Sequence, residues 1–273
     1  MNFNRLFFWG VVLLVAFASL SCGRPTPEQP PPAKVYSDFN FVEDAFVFAN
    51  FGGDSEPQLS PNLVARLCGW ENVCTNEQGG EKACAINPVA ANWMEATNRT
   101  LDQGRSEGFA LLSLMFAVGQ LDPNDFGADT AAGLRLASNK SLQKEFAYWA
   151  ATQAVPSATK NDKRFQAKEV IPFLAEALSP DSDKTYRLAI AQKTEAGFQR
   201  GHALVPIGYY KGEGNIYWLR VYDNNFPQRE RRLKIDPVAN TWRYEFPGLG
   251  DGDPIVYEGT AENGNVLYFG AIQ

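Results

Sequence analysis

The chain contains a single histidine, His202. It opens a strand-like run, Gly201-His202-Ala203-Leu204-Val205-Pro206-Ile207-Gly208-Tyr209, and the next such run ends in Val221-Tyr222-Asp223-Asn224-Asn225-Phe226-Pro227. Adjacent antiparallel strands would set Asp223 or Asn224 beside the imidazole. Ser106 stands at the start of an apolar helix and would supply a hydroxyl there. Together these residues make a nucleophile position, a base and an orienting group, the minimum for acyl transfer through a covalent intermediate. Each also has a plainer use. Serine is a preferred helix N-cap, a lone histidine is readily held as a hydrogen-bonded core residue, and Asp-Asn-Asn before Phe-Pro is good turn chemistry. For the orienting role Asp223 ranks ahead of Asn224.

The elements that must carry these groups follow from periodicity. Phe109 to Val118, after Gly104-Arg105-Ser106-Glu107-Gly108, is apolar nearly all round, the mark of a helix buried on most sides. Ser60, Pro61 and Gly69 bracket a short helix over 61–69. Pro88 to Thr97, Leu142 to Val155 and Gln166 to Leu178 read as further helices, the last with a possible kink at Pro172. Val35 to Phe51 is an aromatic-rich arm or short helix, and Glu71 to Ala85 a polar loop held by cysteines. After Pro180 the period changes to two, predicting strands over 186–193, 202–210, 216–222, 232–235, 241–245, 255–258 and 266–270. Helices followed by strands predict an α+β domain with a mostly antiparallel sheet. Trp218 and Trp242 fall on strands, where alternate faces would line a cleft.

The N-terminus reads as an export signal. Arg5 precedes an apolar stretch, Leu6 to Leu20, of about 15 residues, shorter than the ~20 a membrane span needs. Residues 1–21 are therefore expected to be removed. Ala18-Ser19-Leu20-Ser21-Cys22-Gly23 resembles a bacterial lipoprotein signal, which implies lipidation of Cys22 and a membrane anchor; ordinary secretion is the alternative. Pro25, Pro27, Pro30, Pro31 and Pro32 make residues 22–34 an extended tether, leaving 35–273 as one domain. Gly23 after the cysteine points to the outer membrane of a cell envelope. Three cysteines remain, Cys68, Cys74 and Cys84, and in an oxidising compartment two of them would pair; the spacing leaves the choice open. They bring no histidine and few suitable carboxylates, so no metal is expected, nor does any motif call for a cofactor. Loss of the signal removes only Arg5 and takes the net charge from −6 to −7. That balance argues against a nucleic-acid partner.

The three segments in order resemble the papain-like superfamily of thiol hydrolases. Gly104-Arg105-Ser106-Glu107-Gly108-Phe109-Ala110 is similar to the Gly-x-Cys-x-Gly-Phe/Met-Ala segment of bacterial members. Gly201-His202-Ala203 and the Val221 to Pro227 segment are similar to their Gly-His-Ala and Val-Tyr-Asp-x-Asn-x-Pro segments, and Asn240-Thr241-Trp242 continues the likeness. The resemblance covers residues from about 85 to 245. It implies a papain-like fold, a helical half carrying Ser106 and a sheet half carrying His202 and Asp223 or Asn224. It also implies an oxyanion-binding amide shortly before the nucleophile, for which Gln103 and Asn98 are the candidates. The departure is at the reacting atom, because serine stands where the family has cysteine. A helix N-terminus and an imidazolium lower a thiol pKa from ~8.5 to ~3–4, whereas a hydroxyl must give up its proton during attack. Ser106 thus has three readings: a disarmed or rededicated site, a working serine nucleophile, or a plain cap. The corresponding functions are a pseudoenzyme binding peptide-like ligands, an active hydrolase or acyl transferase using Ser106, His202 and Asp223, and a structural lipoprotein that binds a protein partner.

Overall fold

The computed structural model describes residues 34–35, 37, 39–53, 58–77, 83–178, 182, 184–247 and 253–272. The expected export signal, Cys22 and the expected tether up to residue 33 lie outside the described residues. The remainder belongs to one compact unit, Pro31–Gln273.

In chain order the elements are β1 (Lys34–Val35), α1 (Phe41–Asp44), α2 (Pro61–Cys68), α3 (Trp70–Val73), α4 (Pro88–Leu101), α5 (Ser106–Ala117), α6 (Lys140–Ala151), α7 (Pro156–Thr159), β2 (Lys163–Phe165), α8 (Ala167–Ala177), β3 (Thr185–Thr194), β4 (Gly197–Lys211), β5 (Tyr217–Tyr222), β6 (Glu230–Asp236), β7 (Thr241–Phe246), β8 (Ile255–Gly259) and β9 (Val266–Ile272). The strands form a nine-stranded sheet in the order β2-β9-β3-β4-β5-β6-β7-β8, with β1 added on β4. Every pairing among the described residues is antiparallel. The fold class is α+β, as the switch of period at residue 180 predicts.

Local chemistry explains the boundaries. Ser60 Oγ accepts from the Leu63 N–H at 3.4 Å and Gly69 closes α2 at φ +91°. Asn87 caps α4 through the Ala90 N–H. Gln166 and Glu169 form a reciprocal capping box on α8, satisfying two N–H groups that the helix itself leaves unpaired. Pro172 lies inside α8, which continues through it from Ala167 to Ala177.

The sheet has apolar side chains on both faces. Leu188, Leu204, Val221, Leu233 and Tyr244 share one core with Val170 and Leu174 of α8. Ala203, Val205, Ile207 and Tyr222 meet Ala110 and Leu114 of α5 on the other side. Alternation along β4 therefore sends Ala203 and Leu204 to opposite faces. On its far side α5 packs on α6, where Phe109 and Phe146 lie 4.2 Å apart between ring centroids. Gly108 makes that approach possible, since a Cβ there would lie 2.5 Å from the Phe146 carbonyl. A fully buried phenylalanine such as Phe46, Phe109 or Phe146 contributes about 1.5–3 kcal/mol by the area it removes from water.

One ionic link crosses from α5 to the sheet. Arg187 on β3 pairs with Glu107 and, at 2.8 Å, with Asp162. Arg187 and Glu107 are almost wholly buried, so the residue after Ser106 is anchored to a strand.

Two sequence expectations change, and a strand, β2, stands where none was expected, its three residues being too few to show alternation. The loop from Glu71 to Ala85 begins inside a helical turn, α3. Trp218 and Trp242 do not line the cleft described below. Trp242 is buried in the core with α8, its indole filling the space that a side chain at Gly259 would need. Among the described residues no helix is long and apolar enough to cross a membrane.

Candidate active site

Ser106 is the first residue of α5. Two motif glycines place it there: Gly108, through the packing on α6, and Gly104, whose φ of +135° and closeness to the Asn50 side chain exclude a Cβ. Among the described residues no side chain caps α5, and the first N–H groups of a helix have no partner within it. Ser106 Oγ accepts a 3.2 Å hydrogen bond from the Ala203 N–H. Among the described residues no hydrogen bond joins that hydroxyl to the His202 ring.

His202 sits on β4 just before Ala203 and is 5% exposed. Its Nε2 lies 2.8 Å from Asp223 Oδ1. With Nε2 committed, Nδ1 is the ring nitrogen left for a reacting group. Asp223, directly after β5, is 0% exposed. Its Oδ1 also accepts from the Asn225 N–H at 2.8 Å, and its Oδ2 accepts from the Tyr244 hydroxyl. Burial pushes the Asp223 carboxyl upward, but the His202 ring and the Tyr244 and Asn225 donors outweigh it and hold the group below the ordinary carboxylate range. A depressed folded pKa means stability that is present above the unfolded value near ~3.9 and lost as pH falls through the folded one.

Asn224 has a different task. Its Nδ2 donates to the carbonyls of Ser106 at 3.2 Å and Ala203 at 3.0 Å, so it ties the start of α5 to β4. Asp223 is thus the residue placed beside the imidazole, and Asn224 ties α5 to β4. The two diverge because consecutive residues leaving a strand point to opposite sides.

Of the two oxyanion candidates, Asn98 is excluded. It is buried, its Oδ1 accepts from the Leu59 N–H at 2.8 Å, and its Nδ2 donates to the Leu59 carbonyl at 3.2 Å. Both ends of the amide serve to hold the 58–60 segment. Gln103 is exposed and lines the cleft.

Sequence reasoning missed Asn50. Its N–H donates to the Asn224 carbonyl at 2.7 Å, its Oδ1 accepts from the Arg105 N–H at 2.7 Å, and its Nδ2 donates to Asn225 Oδ1 at 3.1 Å. It fastens the N-terminal arm, the start of α5 and the loop after β5 together. The one available signal was that Asn50 is the lone polar residue between Phe46 and Phe51.

These groups border a cleft of about 480 Å³. Ser106, Asn50, Gln103 and His202 supply polar groups to its lining, and Phe51, Phe226, Phe246 and Tyr257 supply aromatic surface. Glu107, the one carboxylate among the described lining residues, is already paired with Arg187. Such a mixture of hydrogen-bonding groups and apolar surface suits a chain of amides flanked by apolar side chains.

The cysteines form a bridge away from this cleft. Cys74 pairs with Cys84, and Cys68 keeps a free thiol, which burial makes harder to ionise. Closing ten residues of chain in this way stabilises the fold by about 2–3 kcal/mol on loop-entropy grounds. Among the described residues no group of three metal-ligating side chains occurs. Comparison with protein-family models, with curated proteins and with solved structures finds no match to this chain.

Proposed function

We propose that this protein is an exported, lipid-anchored relative of the papain-like thiol hydrolases whose cleft binds peptide-like chains and whose catalysis is disarmed at Ser106. Helical elements come first and carry the nucleophile position; strands follow and carry base and orienter, the order of parts in that superfamily. The observation that carries the reading is the partner of the Ser106 hydroxyl. It accepts from the Ala203 N–H, and among the described residues no hydrogen bond hands its own proton to His202. A thiol would be ionised by its surroundings in this position; a hydroxyl, with a much higher pKa, needs the base in contact to lose its proton during attack. Cys22 would carry the lipid, at the cell envelope. The ligand is a protein or peptide segment, and no nucleic acid, metal or cofactor enters the reading.

The intact His202–Asp223 pair favours a second reading, an active serine variant. Turnover separates the two, and binding checks that the cleft is intact. The full chain and its Ser106→Ala variant are compared on a peptide array, with fluorescence titration of the strongest hits. The expected dissociation constants agree within about threefold, because one hydrogen bond to a ligand at the low end of the usual range contributes about 0.5 kcal/mol net. Turnover in wild type that disappears in Ser106→Ala would replace the proposal by the second reading.

A further inference from the structure

We propose that Tyr244 is a positioning residue that holds Asp223 ionised and fixes the His202 ring with its proton on Nε2, presenting Nδ1 to the cleft. The argument begins with the oxygens of Asp223. Oδ1 receives His202 Nε2 and the Asn225 N–H, each at 2.8 Å. Oδ2 receives the Tyr244 hydroxyl. No part of Asp223 or Tyr244 is exposed, so water cannot stand in for a lost donor. A buried carboxylate oxygen without a donor carries a large desolvation cost. Two responses lower it: the carboxyl takes a proton, or it rotates to share its remaining donors. Either response loosens the hold on Nε2 and frees the imidazole to change tautomer or rotamer.

Tyr244 is suited to this task. It comes from β7, two strands away from β5, so its placement is independent of the loop that carries Asp223. Its backbone pairs with Leu233 and Tyr257, and its ring packs beside Phe246, both being inward positions of the same strand. Burial, with the Asp223 charge beside it, pushes its phenol far above the usual range, so it remains a proton donor. Among the described residues, the other titratable groups facing this centre are Tyr257 and Tyr222, each raised by burial and by Asp223, and Arg231, on the side of Tyr244.

The inference rests on the hydrolase-type reading of the cleft only for its consequence, not for its test. The chain has one histidine, so its imidazole nitrogens can be observed without assignment in the ¹⁵N-labelled full chain. Wild type should show one fixed tautomer, protonated at Nε2, and a slowly exchanging Tyr244 hydroxyl proton. Tyr244→Phe should move both ring nitrogens toward averaged positions. In a Ser106→Cys background that turns over peptide, it should lower kcat about tenfold or more with little change in KM, the scale of one hydrogen bond to a buried charge. An imidazole spectrum unchanged by Tyr244→Phe would overturn the proposal. So would a freely exchanging Tyr244 hydroxyl in wild type, a measurement that requires no variant to fold. A fixed tautomer in wild type, lost in Tyr244→Phe, in a protein that binds no peptide would leave Tyr244 in place and remove the proposed function instead.

Discussion

Ser106→Cys, in a chain also carrying Cys22→Ser and Cys68→Ser, is expected to produce a thiol whose alkylation by iodoacetamide hardly changes from about pH 5 to about pH 8. The new sulfur would stand at the start of a 12-residue helix, take the Ala203 N–H, and share the cleft with His202. Such surroundings lower a thiol pKa from ~8.5 to ~3–4. The magnitudes decide which readout is informative. A thiolate of that low pKa is intrinsically slower by about 100- to 300-fold, since nucleophilicity falls with pKa at a slope of ~0.4–0.5. An ordinary thiol at about pH 6 is only ~0.3% ionised. The two factors nearly cancel, so a single rate near that pH says little and the shape of the profile says much. A rate rising about tenfold per pH unit up to ~8 would mean that the position does not activate a thiol, and the proposed kinship with thiol hydrolases would lose its physical basis.

Arg187→Met is expected to give the largest loss of stability. It removes the guanidinium that Glu107 and Asp162 share, carboxylates whose side chains are 3% and 6% exposed. Breaking a buried pair from one side costs about 3–5 kcal/mol, because the abandoned charge stays buried. For a domain of this size that lowers the melting temperature by on the order of 10 °C. Arg243 supplies the contrast. It pairs with Glu245 and Glu258 as well, but all three side chains are about half exposed, and solvent screens such pairs. Calorimetry of Arg187→Met and Arg243→Met side by side checks this. Equal melting temperatures for the two variants would mean that the Glu107–Arg187–Asp162 link does not hold α5 to the sheet.

The parts of the fold that rest on local chemistry were legible in the sequence. Ser60-Pro61 and Gly69 delimit α2, the apolar run after Ser106 is α5, and the alternating segments after residue 184 are strands. The relation between His202 and Asp223 was legible too, because two consecutive strands that pair antiparallel bring the start of one beside the end of the next. What stayed hidden depends on contacts across the sheet or across long stretches of chain. Asn50 meets residues more than fifty and more than one hundred positions away, and no local pattern records that. Asn98 was a candidate oxyanion donor only through the family resemblance, and its amide is spent on Leu59. Tyr244 had a partial signal: in Trp242, Tyr244 and Phe246 every second residue is inward, and a buried tyrosine hydroxyl needs a partner. Which partner required the order of β5, β6 and β7. The choice of Cys74 and Cys84 likewise depended on the bridge between Cys74 and Ile86, which the spacing alone does not reveal.

The most direct measurement is hydrolysis of a broad peptide library by the full chain as wild type, Ser106→Ala and Ser106→Cys in parallel. The account predicts that wild type and Ser106→Ala are silent and that Ser106→Cys alone cleaves, with one atom restoring the chemistry that the His202–Asp223 pair is built to serve. Cleavage by wild type that Ser106→Ala abolishes would contradict it and make Ser106 a working nucleophile. Silence from all three would contradict it as well, since a site disarmed only at its nucleophile has to respond to a thiol.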